Sequence, residues 1–186
     1  HIGESHCLSY AHRNIEINGA TSRIAPMITL GAKAFHFSKA SDSAFKAITK
    51  ANLALLPEGS EVFVSFGEID CRPNEGFVSA AAKLGHSVED IIANTVTGYL
   101  QWFSEHNKAW SHNMHFVNVP APEYDQTYDA QKNAEVANVV ALFNQQMERQ
   151  IAQYNFNMID VFSFTLGRNG FSNSHFHIDA KHLGAK

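Results

Sequence analysis

Apolar positions along this chain follow two rhythms. Short runs rich in β-forming residues occur at Ile24–Leu30, Glu61–Phe66, Met114–Val119 and Phe156–Phe162. Between them lie longer stretches with apolar residues at helical spacing. Ala44, Phe45, Ile48, Ala51, Leu53 and Leu55 form the first, after a cap read at Ser41-Asp42 and before the break at Pro57–Gly59. Val88, Ile91, Ile92, Val96, Leu100 and Phe103 form the second, behind the capping Ser87. Val136, Val139, Val140, Phe143, Met147 and Ile151 line the third, between Asp129 and Tyr154. Compact apolar strands alternating with long amphipathic helices predict βαβ units, a parallel sheet and right-handed crossovers. In such sheets ligands bind at the carboxyl ends of the strands. Ser5, Gly31, the segment 67–72, the segment 121–124 and the closing His-rich loop all fall just after predicted strands.

Composition narrows the classes. The 186 residues suit a single domain, with no linker or repeat to divide them. A net charge of −4 without a basic stripe predicts no nucleic-acid partner. No apolar run has the length of a membrane span. No signal peptide is visible, so a cytoplasmic protein is expected, and the opening His-Ile-Gly-Glu-Ser is expected of a domain cut from a longer protein. Oligomeric state leaves no mark. Cys7 and Cys71 are too few for a disulfide framework. They are expected to be free buried thiols, although neighbouring first and third strands would bring them within bridging reach.

Two blocks carry candidate chemistry. Gly3-Glu4-Ser5-His6 sits where the first strand ends. A serine at such a turn exposes its hydroxyl near backbone N–H groups able to hold an oxyanion; alone it is equally a capping serine. Asp179-Ala-Lys-His182 sets a carboxylate three residues before an imidazole, so that one orients the other. An ordinary helix cap followed by a surface histidine reads the same way. His175 and His177, with Asp179, have a spacing that zinc uses; the expectation is nevertheless no metal and no cofactor. Trp102, Phe103 and Trp110 are read as core rather than as a sugar platform, and Tyr124 and Tyr128 as rim residues.

Taken together, a Gly-x-Ser block at the start, Gly31, a Gly67-Glu68-Ile69-Asp70 block and a terminal Asp-x-x-His resemble the SGNH (GDSL-like) hydrolases over nearly the whole chain. The resemblance implies a three-layer α/β/α, flavodoxin-like sheet and a serine esterase or acyl transferase with Ser5, Asp179 and His182 as triad. The substrate it implies is an acyl ester, acetyl above all, of a glycan or related small molecule. Gly31, Glu68, Asp70 and Arg72 become the expected oxyanion and substrate contacts. The third block departs from the family pattern: Ile69 stands where an oxyanion-hole Asn is expected and has no donor. The competing reading is a non-catalytic, ligand-binding SGNH-like module of a larger glycan-modifying protein.

Overall fold

The computed structural model describes residues 1–184. Strand β1 (Ile2–Gly3) runs into a 3-10 turn at Ser5–Leu8, and a hairpin of β2 (Asn14–Ile17) and β3 (Ala20–Arg23) follows. Next come β4 (Met27–Ile28), α1 (Ala34–Ser38), α2 (Ala44–Ala54), β5 (Glu61–Ser65), α3 (Glu68–Cys71) and α4 (Phe77–Leu84). The chain continues through α5 (Val88–Asn107), β6 (Asn113–Val117), α6 (Ala130–Ile151), β7 (Asn157–Ile159) and α7 (Val161–Thr165). Five strands form one sheet in the order β4-β1-β5-β6-β7, every pairing parallel. This is the flavodoxin-like order that the SGNH resemblance implied.

The pleat explains which side chains meet the helices. Val62, Val64, Met114 and Phe116 alternate onto one face and are buried, as is Ile2 beside them. Phe116 packs against Tyr99 and Phe103 of α5 at ring-centroid separations of 5.4 and 5.5 Å. Phe37 of α1 reaches Phe66 at 4.8 Å and Trp102 at 4.9 Å, which puts Trp102 and Phe103 in the core as read. The opposite face is more polar, with Glu61, Phe63 and His115 in a row. There Asn18, in the turn of the β2–β3 hairpin, donates to Glu61 at 3.0 Å.

Several boundaries differ from the sequence reading. The run Ile24–Leu30 gives strand only at Met27–Ile28, because Ile24 exchanges backbone bonds with Arg13 and His12 and so extends the hairpin instead. The run Phe156–Phe162 stops pairing at Ile159, where Asp160 turns the chain by capping α7 through the Ser163 N–H. Ser43, rather than Ser41-Asp42, caps α2. The hairpin and α4 were not anticipated. Asn18 and Gly19 both have positive φ, the conformation a two-residue hairpin turn of the tightest kind requires.

Candidate active site

Gly3 ends β1 under tight constraint: a Cβ there would lie 2.6 Å from the Ser65 carbonyl oxygen and 2.3 Å from its hydroxyl. The strand can therefore lie against β5 only with glycine at this position, which fixes where the next residues emerge. Glu4 caps the following 3-10 turn, its Oε2 accepting the His6 N–H at 3.2 Å. Ser5 is the first residue of that turn. Its Oγ lies 2.9 Å from Nε2 of His182 and 2.8 Å from Oε2 of Glu4. The hydroxyl has one proton and two acceptors within reach.

His182 is oriented from behind. Its Nδ1 lies 2.8 Å from Oδ2 of Asp179, whose Oδ1 accepts the Lys181 and His182 N–H groups at 2.8 and 2.7 Å. These bonds, that to the His182 N–H foremost, hold the Asp179 carboxyl well below the usual carboxylate range despite some desolvation. The loop closes on itself through Ile178 N–H to the His182 carbonyl at 2.9 Å and Gly184 N–H to the Phe176 carbonyl at 2.9 Å. Side chains from the two ends of the described chain thus meet in one hydrogen-bonded line, Asp179–His182–Ser5. The carboxylate fixes the imidazole tautomer, and the imidazole faces the hydroxyl, which is the arrangement nucleophilic serine chemistry needs.

A second pair flanks Ser5. Nδ1 of His6 lies 2.7 Å from Oε1 of Glu4, and Nε2 lies 2.9 Å from the Lys181 carbonyl oxygen. Burial opposes charge on both side chains. The pairing outweighs it, lowering the Glu4 carboxyl and raising the His6 imidazole from their ordinary values. The sequence reading quoted both residues within the first block but gave neither side chain a role. Their signal was Glu4 in place of the family's Asp, with a histidine two positions on.

The other expected site residues are distributed as follows. Gly31 lies in the exposed turn after β4 with φ of +72°, where it costs nothing that glycine does not tolerate. Among the described residues no protein acceptor takes the N–H of Ser5 or of Gly31. Ile69 is buried. Arg72 is held by Glu68, its Nη2 at 2.7 Å from Oε2, and by Glu75 at 3.0 Å. Asp70 faces inward rather than toward a ligand: it is buried, and its two oxygens accept the Ala34 and Phe35 N–H groups at 2.8 and 3.1 Å, tying α3 to the start of α1. Burial pushes its carboxyl up to about 7.

A cleft of about 210 Å³ opens beside this network. Glu68, Arg72, Glu75, Glu123, Asp125 and Lys181 give it a charged rim, with Asn74, Asn133 and Tyr128 among its polar walls. Val119, Pro120, Val136 and Val140 supply an apolar floor. Ala180 and Lys181 of the His182 loop line it, whereas Ser5 does not. Tyr128 thus lines the cleft, whereas Tyr124 is not among its lining residues and packs edge-on against Phe171 at 5.3 Å.

Among the described residues, metal-ligand geometry does not gather where the His-x-His spacing suggested. His175 is exposed, while the His177 side chain is buried against Ser172 and Glu123. Among the described residues, Glu4, His6 and Glu68 bring donor atoms within 4.8 Å of one another. Those atoms are committed elsewhere, Glu4 to His6 and Glu68 to Arg72, so the group is satisfied as a charge network. Cys7 and Cys71 are free and buried, and burial raises both thiols, Cys7 to about 11.

No family model matches the chain, and no curated protein matches it. Solved structures do. A Streptococcus pneumonia protein provisionally described as a platelet activating factor superposes with a TM-score of 0.61 at 16% identity, covering 98% of this chain and 74% of that one. The OSK domain of Drosophila Oskar superposes with a TM-score of 0.55 at 13% identity, covering 94% and 70%. At these identities the likeness is one of fold: a five-stranded parallel sheet flanked by helices, shared along nearly the whole chain.

Proposed function

We propose that the chain is a serine esterase or acyl transferase of the SGNH type, acting on acyl esters of small hydroxylated molecules. The observation that carries this reading is the Asp179–His182–Ser5 line, with 2.8 and 2.9 Å between successive partners. Ser5 Oγ attacks the acyl carbon as His182 Nε2 takes its proton, and Asp179 stabilises the imidazolium that forms. The backbone N–H groups of Ser5 and Gly31 hold the oxyanion. His182 then returns the proton to the departing alcohol. Water, or a second alcohol in a transferase, gives its proton to His182 as it attacks the acyl carbon, and His182 passes that proton to Ser5 Oγ as the acyl group leaves. No cofactor takes part.

The cleft supports a polyol or glycan as the alcohol portion, since its amide, phenol and carboxylate rim suits hydroxyl groups above an apolar floor. Ile69 is the feature that favours the other reading, a ligand-binding module without chemistry. Loss of one oxyanion donor costs about 10²–10³ in rate, which still leaves a measurable enzyme. Hydrolysis of an aryl acetate by the wild type and by Ser5→Ala separates the two. Turnover that vanishes in the variant supports the esterase. Turnover equal in both removes Ser5 from the mechanism, and none in the wild type favours the binding module.

A further inference from the structure

The reacting side chains come from opposite ends of the described chain. Among the described residues, two hydrogen bonds join the Ser5 turn to the His182 loop: Ser5 to His182, and His6 Nε2 to the Lys181 carbonyl at 2.9 Å. The second of these has a proton requirement. Both atoms that His6 faces, a carboxylate oxygen of Glu4 and the carbonyl oxygen of Lys181, are acceptors only. To bond both, the ring needs hydrogen on each nitrogen.

We infer that His6 is a positioning residue: as an imidazolium it bridges the Glu4 carboxylate, which also holds Ser5, to the carbonyl beside His182, and so keeps the His182 loop at reacting distance from Ser5. The inference rests on the reading of Ser5 and His182 as the reacting pair. Other charged and titratable groups surround the bridge. Glu68 of α3 adds negative charge, although Arg72 engages it. The His182 ring lies 5.3 Å away with Asp179 behind it, Lys181 provides the carbonyl, and Tyr10 lines the same small cavity as His6 and Glu4. Glu4 prevails over burial, so His6 keeps its second proton above the ordinary imidazole range. Because the folded value is raised, the double bridge is present at lower pH and lost as pH rises through the His6 titration. Neutral His6 can then donate to Glu4 or to Lys181, not to both.

The test uses His6→Gln, which donates without titrating and cannot span both acceptors. On an aryl acetate, kcat falls about tenfold to a hundredfold while KM for this small ester stays nearly constant. The wild type is expected to lose kcat as pH rises through the His6 titration, and the variant is expected to lack that alkaline fall. Unchanged kcat and an unchanged pH profile in a folded variant overturn the inference, as does a loss of thermal stability with the alkaline fall retained. A measurement on the wild type keeps the test independent of the variant's folding and of any esterase activity. Nitrogen NMR of the His6 ring near neutral pH reports hydrogen on both nitrogens if the bridge exists. One bare nitrogen overturns the bridge itself. Both nitrogens protonated in a protein that turns over no ester would instead place the failure in the esterase reading.

Discussion

Single side chains at this site are set by their neighbours more than by their own chemistry. Asp70 looks in sequence like a ligand contact, yet it is buried and spends both oxygens on the α1 backbone. Its carboxyl is raised to about 7 from an ordinary 3.8. Between those values the folded protein keeps a proton that the unfolded chain has released. Stability linked to Asp70 is therefore full below the ordinary value and declines as pH rises through about 7. Denaturant titrations at about pH 5 and about pH 8 should show the wild type losing on the order of a few kcal/mol that Asp70→Asn does not lose; equal pH slopes contradict the assignment. Gly67 illustrates the reverse case. Its φ of +133° and a Cβ position 2.6 Å from the Phe143 ring leave room for glycine alone. Gly67→Ala is expected to cost about 2–4 kcal/mol in the same titration, and a cost below about 1 kcal/mol would show that the loop adapts. Ser5, Asp179 and His182 were singled out in sequence because their blocks together resemble a known pattern, and the structure brings their side chains within hydrogen-bond reach of one another. The Glu4–His6 pair was not singled out, since its partner Lys181 is far away in the sequence and contributes only a backbone oxygen.

At the level of elements, the long helices and the central strands β5 and β6 were readable, whereas the runs that became β4 and β7 were read as longer than they are. Helix α5 announces itself through Ser87 and the spacing from Val88 to Phe103, and Ser87 Oγ does accept the Asp90 N–H at 3.0 Å. Ser87→Ala should lower stability by about 1 kcal/mol, checked by equilibrium unfolding, while an unchanged midpoint would mean that the bond is exchanged for water at no cost. Strand β4 shrinks to a pair of residues because pairing depends on what lies alongside: β1 is itself only Ile2–Gly3. Apolar periodicity says that a segment is buried, not how long its neighbour is. Asn18-Gly19 was a readable turn signal that the sequence reading missed by attending to the longer runs.

Over the whole molecule, sheet order does the work of assembly. With β1 flanked by β4 and β5, the loops after these strands and after β6 open at one edge of the sheet. Ser5, Gly31, the α3 segment and the 119–125 segment all follow their strands there, as the alternation of strands and helices foretold. The layer beneath them depends on aromatic packing across β6, where Phe116 meets Tyr99, Phe103 and Phe156. Phe116→Ala should cost about 3–5 kcal/mol in stability; a smaller loss would place the core elsewhere. The central claim is that this assembly makes Ser5 a nucleophile. The most direct measurement is labelling with a fluorophosphonate, which forms a stable phosphonyl ester with an activated serine, followed by tandem mass spectrometry of the peptides. The account predicts a single adduct on Ser5, absent from Ser5→Ala and formed far more slowly by His182→Ala. An adduct on another residue, or folded wild-type protein that takes no label, would contradict it.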